Sequence, residues 1–536
     1  MERRNFFKTA VLGGGTLALA PLSSCVQHTT SPESVTDYTN FDLNEATLAQ
    51  LQEKMSSGVL TSEEMTKKYL SRIEQIDSSG PQLHAVIEIN PEALIIAKQM
   101  DTERKAGKIR GPLHGIPVLI KDNIDTGDKM QTTAGSLAMV GSPAPDDAFI
   151  VRKLRDAGAV LLGKTNLSEW ANFRSTKSSS GWSGRGGQVH NPYCTDRSPC
   201  GSSSGTGAAV SANLCALGIG TETDGSIVCP SGTNGIVGIK PTVGLWSRDG
   251  IIPISHSQDT AGPMARTVTD AAILLGLLAE SDPNDSMTDL KQEGSITDYT
   301  PFLDANGLKN SRIGIAGDFL GFSQEVDQLI KSAVLVMKEK GAQVIEDLKF
   351  DKRSESGAAE WQVLISEFKA DLNAYLKTRK GLKVQSLSDL IEYNKKNAES
   401  ELKWCGQDTF EAAEKTTGLD EPVYLKALKE SKRLNREDGI DQLMEKHQLD
   451  ALIAPTNGPA WTIDWINGDH FGGGSSEPAA ISGYPSITVP VGYVHGLPVG
   501  ISFFGRAWSE STLIRIAYAY EQATKHRRIP EFLKTI

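Results

Sequence analysis

Histidine is scarce in this chain, at 9 of 536 residues. His256, His447, His470, His495 and His526, which follow the serine-rich segments, sit in no context that marks a catalytic base. Basic excess is absent too. Lys and Arg number 55 against 66 Asp and Glu, a net charge of −11, and no basic stripe accompanies it, which excludes nucleic acid as a partner. Cysteine is limited to six residues. Beyond Cys25 the remaining five (Cys194, Cys200, Cys215, Cys229 and Cys405) are an odd number without regular spacing, which excludes a disulfide framework and a zinc site. Cys194 and Cys200 are close enough in sequence to pair in an oxidising compartment, and free buried thiols are the equal alternative. The chain also lacks an internal repeat, a low-complexity segment and the Pro/Gly-rich boundaries that would split a globule.

What is present begins with a leader. MERRNFFKTAVLGGGTLALAPLSSC has a basic start, a short apolar run and a small-residue end, the pattern of an export signal and not of a spanning helix. Arg3-Arg4-Asn5-Phe6-Phe7-Lys8 fits a twin-arginine motif, and Leu22-Ser23-Ser24-Cys25 resembles a lipobox, with Cys25 as the lipidated residue. Residues 1–24 therefore read as an export signal, 25–40 as a polar tether and 41–536 as one domain. The expected location is the periplasm or cell envelope of a bacterium, with membrane contact only through the lipid anchor.

The globule opens with helical signals: Leu48, Leu51 and Met55 on one face, then a Thr61/Glu64 capping box. Residues 116–120 and 159–162 are short apolar runs that read as buried strands. A small-residue helix is expected from about 205 to 216. RIGIAG, AQVIE, ALIAPT, ITVPVG and VGISFFG supply further strands, and residues 355–450 are mostly charged helices. This alternation argues an α/β fold.

Two motifs mislead. Gly158–Thr165 satisfies the P-loop pattern, but AVLL between its glycines is itself a strand, where a phosphate cradle needs an open turn. Gly201-Ser202-Ser203-Ser204-Gly205 satisfies G-x-S-x-G, yet the preceding YCTDRSPC is polar and turn-prone where a nucleophile elbow needs a strand.

One lysine and two loops carry the chemistry. Lys121 ends GPLHGIPVLIK, Ser202 lies in SPCGSSSGTGAAVSA and Ser226 in GTETDGSIVCPSGTNG. Amide hydrolysis needs an activated nucleophile, an oxyanion trap and an acid for the leaving nitrogen. A lysine can act as base only when neutral, which burial favours. Lys121 directly follows an apolar strand, although many strand-end lysines simply reach solvent. These segments, with LLGKTNLSEWA, SQDTAGPMAR and GLPVGISFFG, resemble the amidase signature family over residues 43 to about 530, most strongly from 111 to 270.

The resemblance implies an α/β amidase signature fold, a central mixed β-sheet covered by helices on both faces. It implies a hydrolase of linear amides with no cofactor and no metal. It assigns Lys121 as base, Ser202 as bridging serine after a cis peptide bond, and Ser226 as nucleophile. The backbone N–H groups of Thr223, Asp224, Gly225 and Ser226 become the oxyanion hole, with Ser203 in support. Most relatives carry Gly-Gly-Ser-Ile-Arg at the nucleophile, whereas this chain has Asp224-Gly225-Ser226-Ile227-Val228, a form that looks like bacterial peptide amidases. The expected substrate is therefore a peptide or acylated amino acid ending in –CONH2. Asp224 either accepts a substrate N–H or holds its loop. Trp461 and Trp465 either line the pocket or pack in the core. The alternatives are another acyl or fatty amide as substrate, or a ligand-binding lipoprotein on an inactive amidase scaffold.

Overall fold

The computed structural model describes residue 38 and residues 40–536, apart from 291–295 and 351–352. The leader, Cys25 and the tether up to residue 37 lie outside the described residues. Tyr38–Ile536 form one compact unit.

Its first strands are β1 (Val86–Ile89), β2 (Pro117–Lys121) and β3 (Val160–Thr165), followed by a small ribbon of β4 (Trp182–Ser183) and β5 (Gly187–Gln188). The middle of the chain gives β6 (Leu217–Glu222), β7 (Val237–Lys240) and β8 (Thr260–Ala265). The remainder gives β9 (Arg312–Ala316), β10 (Gln343–Leu348), β11 (Ala451–Pro455), β12 (Ser486–Val494) and β13 (Leu497–Phe504). All but the ribbon join one 11-stranded sheet in the order β1-β3-β2-β6-β8-β7-β12-β13-β11-β9-β10. β2 runs parallel to both β3 and β6, while β6 is antiparallel to β8, so the sheet is mixed and flanked by helices.

The strands near the centre are buried at every position, which is why their sequences read as continuous apolar or small-residue runs. The opening helix Leu48–Ser56 buries Leu48, Leu51 and Met55, and each such side chain contributes roughly 1.5–3 kcal/mol. The next, Ser62–Ile73, starts with the reciprocal Thr61/Glu64 capping box. Two expected extents change. The strand at 159–162 continues to Thr165, and the small-residue helix is Ser204–Ser211. Asn213, in the left-handed region at φ 58°, turns the chain out of that helix and into β6.

Small residues bring this helix down onto the sheet. A Cβ at Gly220 in β6 would lie 2.8 Å from Ser203 Oγ. Glycine there lets the loop entering the helix rest directly against the end of β6, the place where the sheet meets the candidate site.

Candidate active site

Three chain segments meet at the ends of β2 and β6. Lys121 is the last residue of β2, and it is fully buried. Residues 200–203 lead into helix Ser204–Ser211, and Ser226 lies in the turn between β6 and helix Val228–Thr233.

Lys121 Nζ donates to Ser202 Oγ at 2.8 Å, to Thr221 Oγ1 at 2.9 Å and to the Thr221 carbonyl at 3.2 Å. Thr221 Oγ1 also accepts from Asn123 Nδ2 at 3.0 Å. Burial pushes the Lys121 ammonium down to about 7, with the charges of Glu222 and Asp259 opposing. The lysine is thus poised to lose its proton near neutral pH, with a serine hydroxyl in hydrogen-bond reach.

The Gly201–Ser202 peptide bond is cis. A Cβ at 201 would lie 2.2 Å from Ser168 Oγ, so a larger residue there would displace that hydroxyl. The Ser202 carbonyl accepts from Ser168 N–H at 3.1 Å, which fixes this loop to the segment after β3. Ser203 is fully buried and bonded in both directions: its Oγ donates to the Thr221 carbonyl and accepts from Thr221 N–H. Its own N–H donates to the Ser226 carbonyl at 3.1 Å, joining the two serine loops. Ser203 is therefore tied into the frame, and the G-x-S-x-G pattern centred on it has no strand before it.

Ser226 keeps 8% exposure, and its Oγ makes no hydrogen bond among the described residues. Its turn is organised by Glu222, whose Oε2 accepts from Ile227 N–H at 2.7 Å and Val228 N–H at 3.0 Å. Burial pushes the Glu222 carboxyl upward. At the turn's head, Thr223 Oγ1 donates to Asp259 at 2.6 Å. Asp224 has a side-chain oxygen, Oδ1, that is shielded from solvent and without a hydrogen-bond partner. Burial pushes its carboxyl up to about 7, opposed by a hydrogen bond from Ser476 and reinforced by Glu222 and Glu477.

A disulfide closes the constellation, and it corrects the pairing considered from sequence. Cys200 bonds to Cys229, whereas Cys194 is a free buried thiol. Cys194 Sγ instead contacts Asp196 Oδ1, and its backbone bridges to Leu533. Proximity in sequence lost to the fold: Cys200 precedes Ser202 and Cys229 follows Ser226, so the bond spans the two serine loops.

A cavity of about 210 Å³ adjoins these residues, lined by Asn123, Ala171, Thr221, Thr223, Ile252, Ile254 and Asp259 among others. Neither tryptophan singled out from sequence lines it. Trp465 donates to Gln188 Oε1 and stacks on Trp404, while Trp461 donates to Asp469 and lines a separate cavity with Arg197 and His495. Lys164 of the P-loop-like segment lies inside β3, fully buried and bonded to the Ile124 carbonyl and Thr132 Oγ1. Among the described residues, His256, Glu367 and Asp371 form the one group with metal-ligand spacing. Protein donors already occupy it: Ser255, Ser257 and Tyr424 hydroxyls bond Glu367, and His256 bonds Asp371.

The family described as Amidase matches residues 64–514 of this chain. The chain belongs to the amidase signature family. It is an amide-hydrolysing enzyme, similar over most of its length to solved peptide amidases. Native peptide amidase from Stenotrophomonas maltophilia is 50% identical, with a TM-score of 0.88 over 92% of this chain and all of that one. A peptide amidase in complex with the competitive inhibitor chymostatin is 51% identical, with a TM-score of 0.89 over 91% of this chain and all of that one. Among curated proteins, "Probable amidase At4g34880" of Arabidopsis thaliana is 44% identical over 92% of this chain and 93% of its own length.

Sequence reasoning missed several residues of the site. Thr221 and Glu222 lie inside the quoted GTETDGSIVCPSGTNG segment and Asn123 lies two residues after Lys121, and adjacency to Ser226 and Lys121 was their signal. Asp259 and Gln258 belong to the SQDTAGPMAR segment, recognisable in pattern but not in role. The disulfide partner of Cys200 had no local signal.

Proposed function

We propose that this enzyme hydrolyses the terminal carboxamide of peptides or acylated amino acids, releasing ammonia, through Ser226, Ser202 and Lys121. The observation that carries the reading is the buried Lys121 Nζ, depressed to about 7, at 2.8 Å from Ser202 Oγ. Neutral Lys121 accepts the Ser202 proton as Ser202 accepts that of Ser226. Ser226 Oγ attacks the carboxamide carbon, and the oxyanion is received by backbone N–H groups of the turn Thr223, Asp224, Gly225 and Ser226. The proton returns through Ser202 to the leaving nitrogen, ammonia departs, and water releases the acyl group by the reverse sequence. Ser203 supports the site by locking the Ser202 loop to the Ser226 turn. Asp224, with its unpartnered Oδ1, accepts a substrate N–H.

The substrate class rests on the Asp224-Gly225-Ser226 turn, shared in form with bacterial peptide amidases. Ammonia release from an amidated dipeptide, a long-chain fatty amide and free asparagine, with Ser226→Ala as blank, tests it. Turnover of the dipeptide alone supports the reading. Turnover of the fatty amide alone moves the substrate to lipid, and stoichiometric binding without ammonia supports a ligand-binding protein.

Export through the twin-arginine-like leader and lipidation at Cys25 complete the proposal. Radiolabelled fatty acid incorporated by the full chain and lost on Cys25→Ala supports the anchor, and equal labelling of both counts against it.

A further inference from the structure

Thr223 heads the turn that carries Ser226, and its hydroxyl and carbonyl are gripped by consecutive residues that lead into another strand. Its Oγ1 donates to Asp259 Oδ1 at 2.6 Å, and its carbonyl accepts from Gln258 Nε2 at 3.3 Å. Asp259 directly precedes β8, whose first residue, Thr260, pairs with Glu222 at the end of β6. The carboxylate is itself held in place: its Oδ2 accepts from Ile254 N–H at 2.8 Å and Ser255 N–H at 2.9 Å. Asp259 thus staples the turn after β6 to the 254–259 loop, with three of the roughly four hydrogen bonds a carboxylate can accept coming from protein donors.

The same carboxylate lines the cavity beside Thr221 and Asn123, the residues surrounding Lys121 Nζ. Other charged groups in its walls have partners: Arg248 bonds Asp285, His256 bonds Asp371, and Asp249 bonds Arg152. The charges that act on Lys121 are those of Glu222 and Asp259. Glu222 holds the nucleophile turn through Oε2, which accepts from Ile227 and Val228 N–H.

We propose that Asp259 is a positioning residue for hydrolysis: through Thr223 it fixes the turn carrying Ser226, and it sets a carboxylate in the wall of the cavity that Thr221 and Asn123 line beside Lys121. This rests on the reading of Lys121 as base and Ser226 as nucleophile. The two tasks oppose each other in a useful way. A tightly held oxyanion turn needs the carboxylate, while the carboxylate's charge keeps Lys121 from shedding its proton too far below neutrality. Burial pushes the Asp259 carboxyl up to about 6, against the Thr223, Ser255 and Ile254 donors and the Arg248 charge.

The sign follows. Replacing Asp259 by Asn removes an anion near Lys121, which disfavours its ammonium and lowers its proton affinity. The acid limb of the rate profile then moves to lower pH.

The test uses the full chain and ammonia release from an amidated dipeptide, with wild type, Asp259→Asn, Thr223→Val and Thr223→Ser. Asp259→Asn is expected to lower kcat about 10–100-fold with KM within about threefold, and to move the acid limb of kcat/KM down by about half a pH unit or more. Thr223→Val is expected to lose a similar share of kcat with the limb unmoved, because the charge remains, and Thr223→Ser to recover most of it. Loss of rate in Asp259→Asn with an unmoved limb, or a kcat within about threefold of wild type, overturns the proposal. If Asp259→Asn does not fold, as judged by circular dichroism, the threonine pair decides, and equal kcat in Thr223→Val and wild type overturns it. A wild type that hydrolyses no amide, or a Ser226→Ala variant that still does, strikes instead at the reading of the active site and takes this inference with it.

Discussion

Two buried lysines stand on adjacent parallel strands, one register step apart, and their surroundings could hardly differ more. Lys121 ends β2 beside Thr165, and Lys164 in β3 pairs with Ile120. Both are fully buried, and burial pushes both ammonium groups downward. Around Lys164 stand four carboxylates, those of Asp122, Asp125, Asp128 and Glu88, and its Nζ reaches the Ile124 carbonyl and Thr132 Oγ1. Around Lys121, among the described residues, Glu222 and Asp259 oppose the loss of charge, and its Nζ reaches the hydroxyl of a loop serine. Burial alone does not make a base. The lysine must also be poor in anions and face a group whose proton it can take. Lys164 balances buried acids within the frame, while Lys121 is, on the reading proposed above, the lysine that transfers the proton.

The largest expected effects break the site itself. Ser226→Ala should abolish ammonia release, a loss on the order of 10^6. Lys121→Ala should cost about 10^2–10^4 or more in kcat/KM, yet change the melting temperature little, because removing an ammonium that burial disfavours offsets the lost hydrogen bonds to Ser202 and Thr221. Lys164→Ala should behave in the opposite way. It takes one of two cationic partners from Asp122 and from Asp125, which keep Arg185 and Arg379, and stability measured by denaturant unfolding should fall by about 1–3 kcal/mol. Equal melting temperatures for the two lysine variants would erase the comparison.

The disulfide sharpens it from the other side. Cys200 and Cys229 enclose a 29-residue separation that contains both Ser202 and Ser226. Replacing both cysteines by serine should lower stability by about 2–4 kcal/mol and reduce activity by loosening the two loops. Thiol titration in parallel with ammonia release checks it, and full activity in the double variant would show that the hydrogen bond from Ser203 to Ser226 suffices. The smallest effect is expected from Asp224→Asn, roughly tenfold or less in kcat/KM and mainly in KM, as one substrate hydrogen bond is weakened.

Much of this was legible in the sequence, and the reason is local. Strand β2 announced itself as an apolar run with a lysine at its end, and the Gly/Ser loop as a small-residue entry to a helix. The patterns read as an export signal and a lipobox are equally local but fall outside the described residues. What the sequence concealed is what the sheet assembles. Thr221 and Ser202 come to Lys121 across about 80–100 residues of chain. Asp259 reaches Thr223 only because β8 pairs with β6. Cys200 finds Cys229 because the helix after Ser226 packs against the Ser202 loop, whereas Cys194, nearer in sequence, is drawn toward Leu533. The Trp461–Trp465 segment looked aromatic enough for a pocket wall, but Asp469 and Gln188 anchor its indoles away from the cavity beside Lys121.

The pH dependence of kcat/KM for an amidated dipeptide, from about pH 5 to 9, tests the role of Lys121 most directly. With the base buried and depressed to about 7, the rate should rise about tenfold per pH unit below that value and level off above it. A profile that is flat through this range, with product release shown not to limit the rate, would contradict a lysine base.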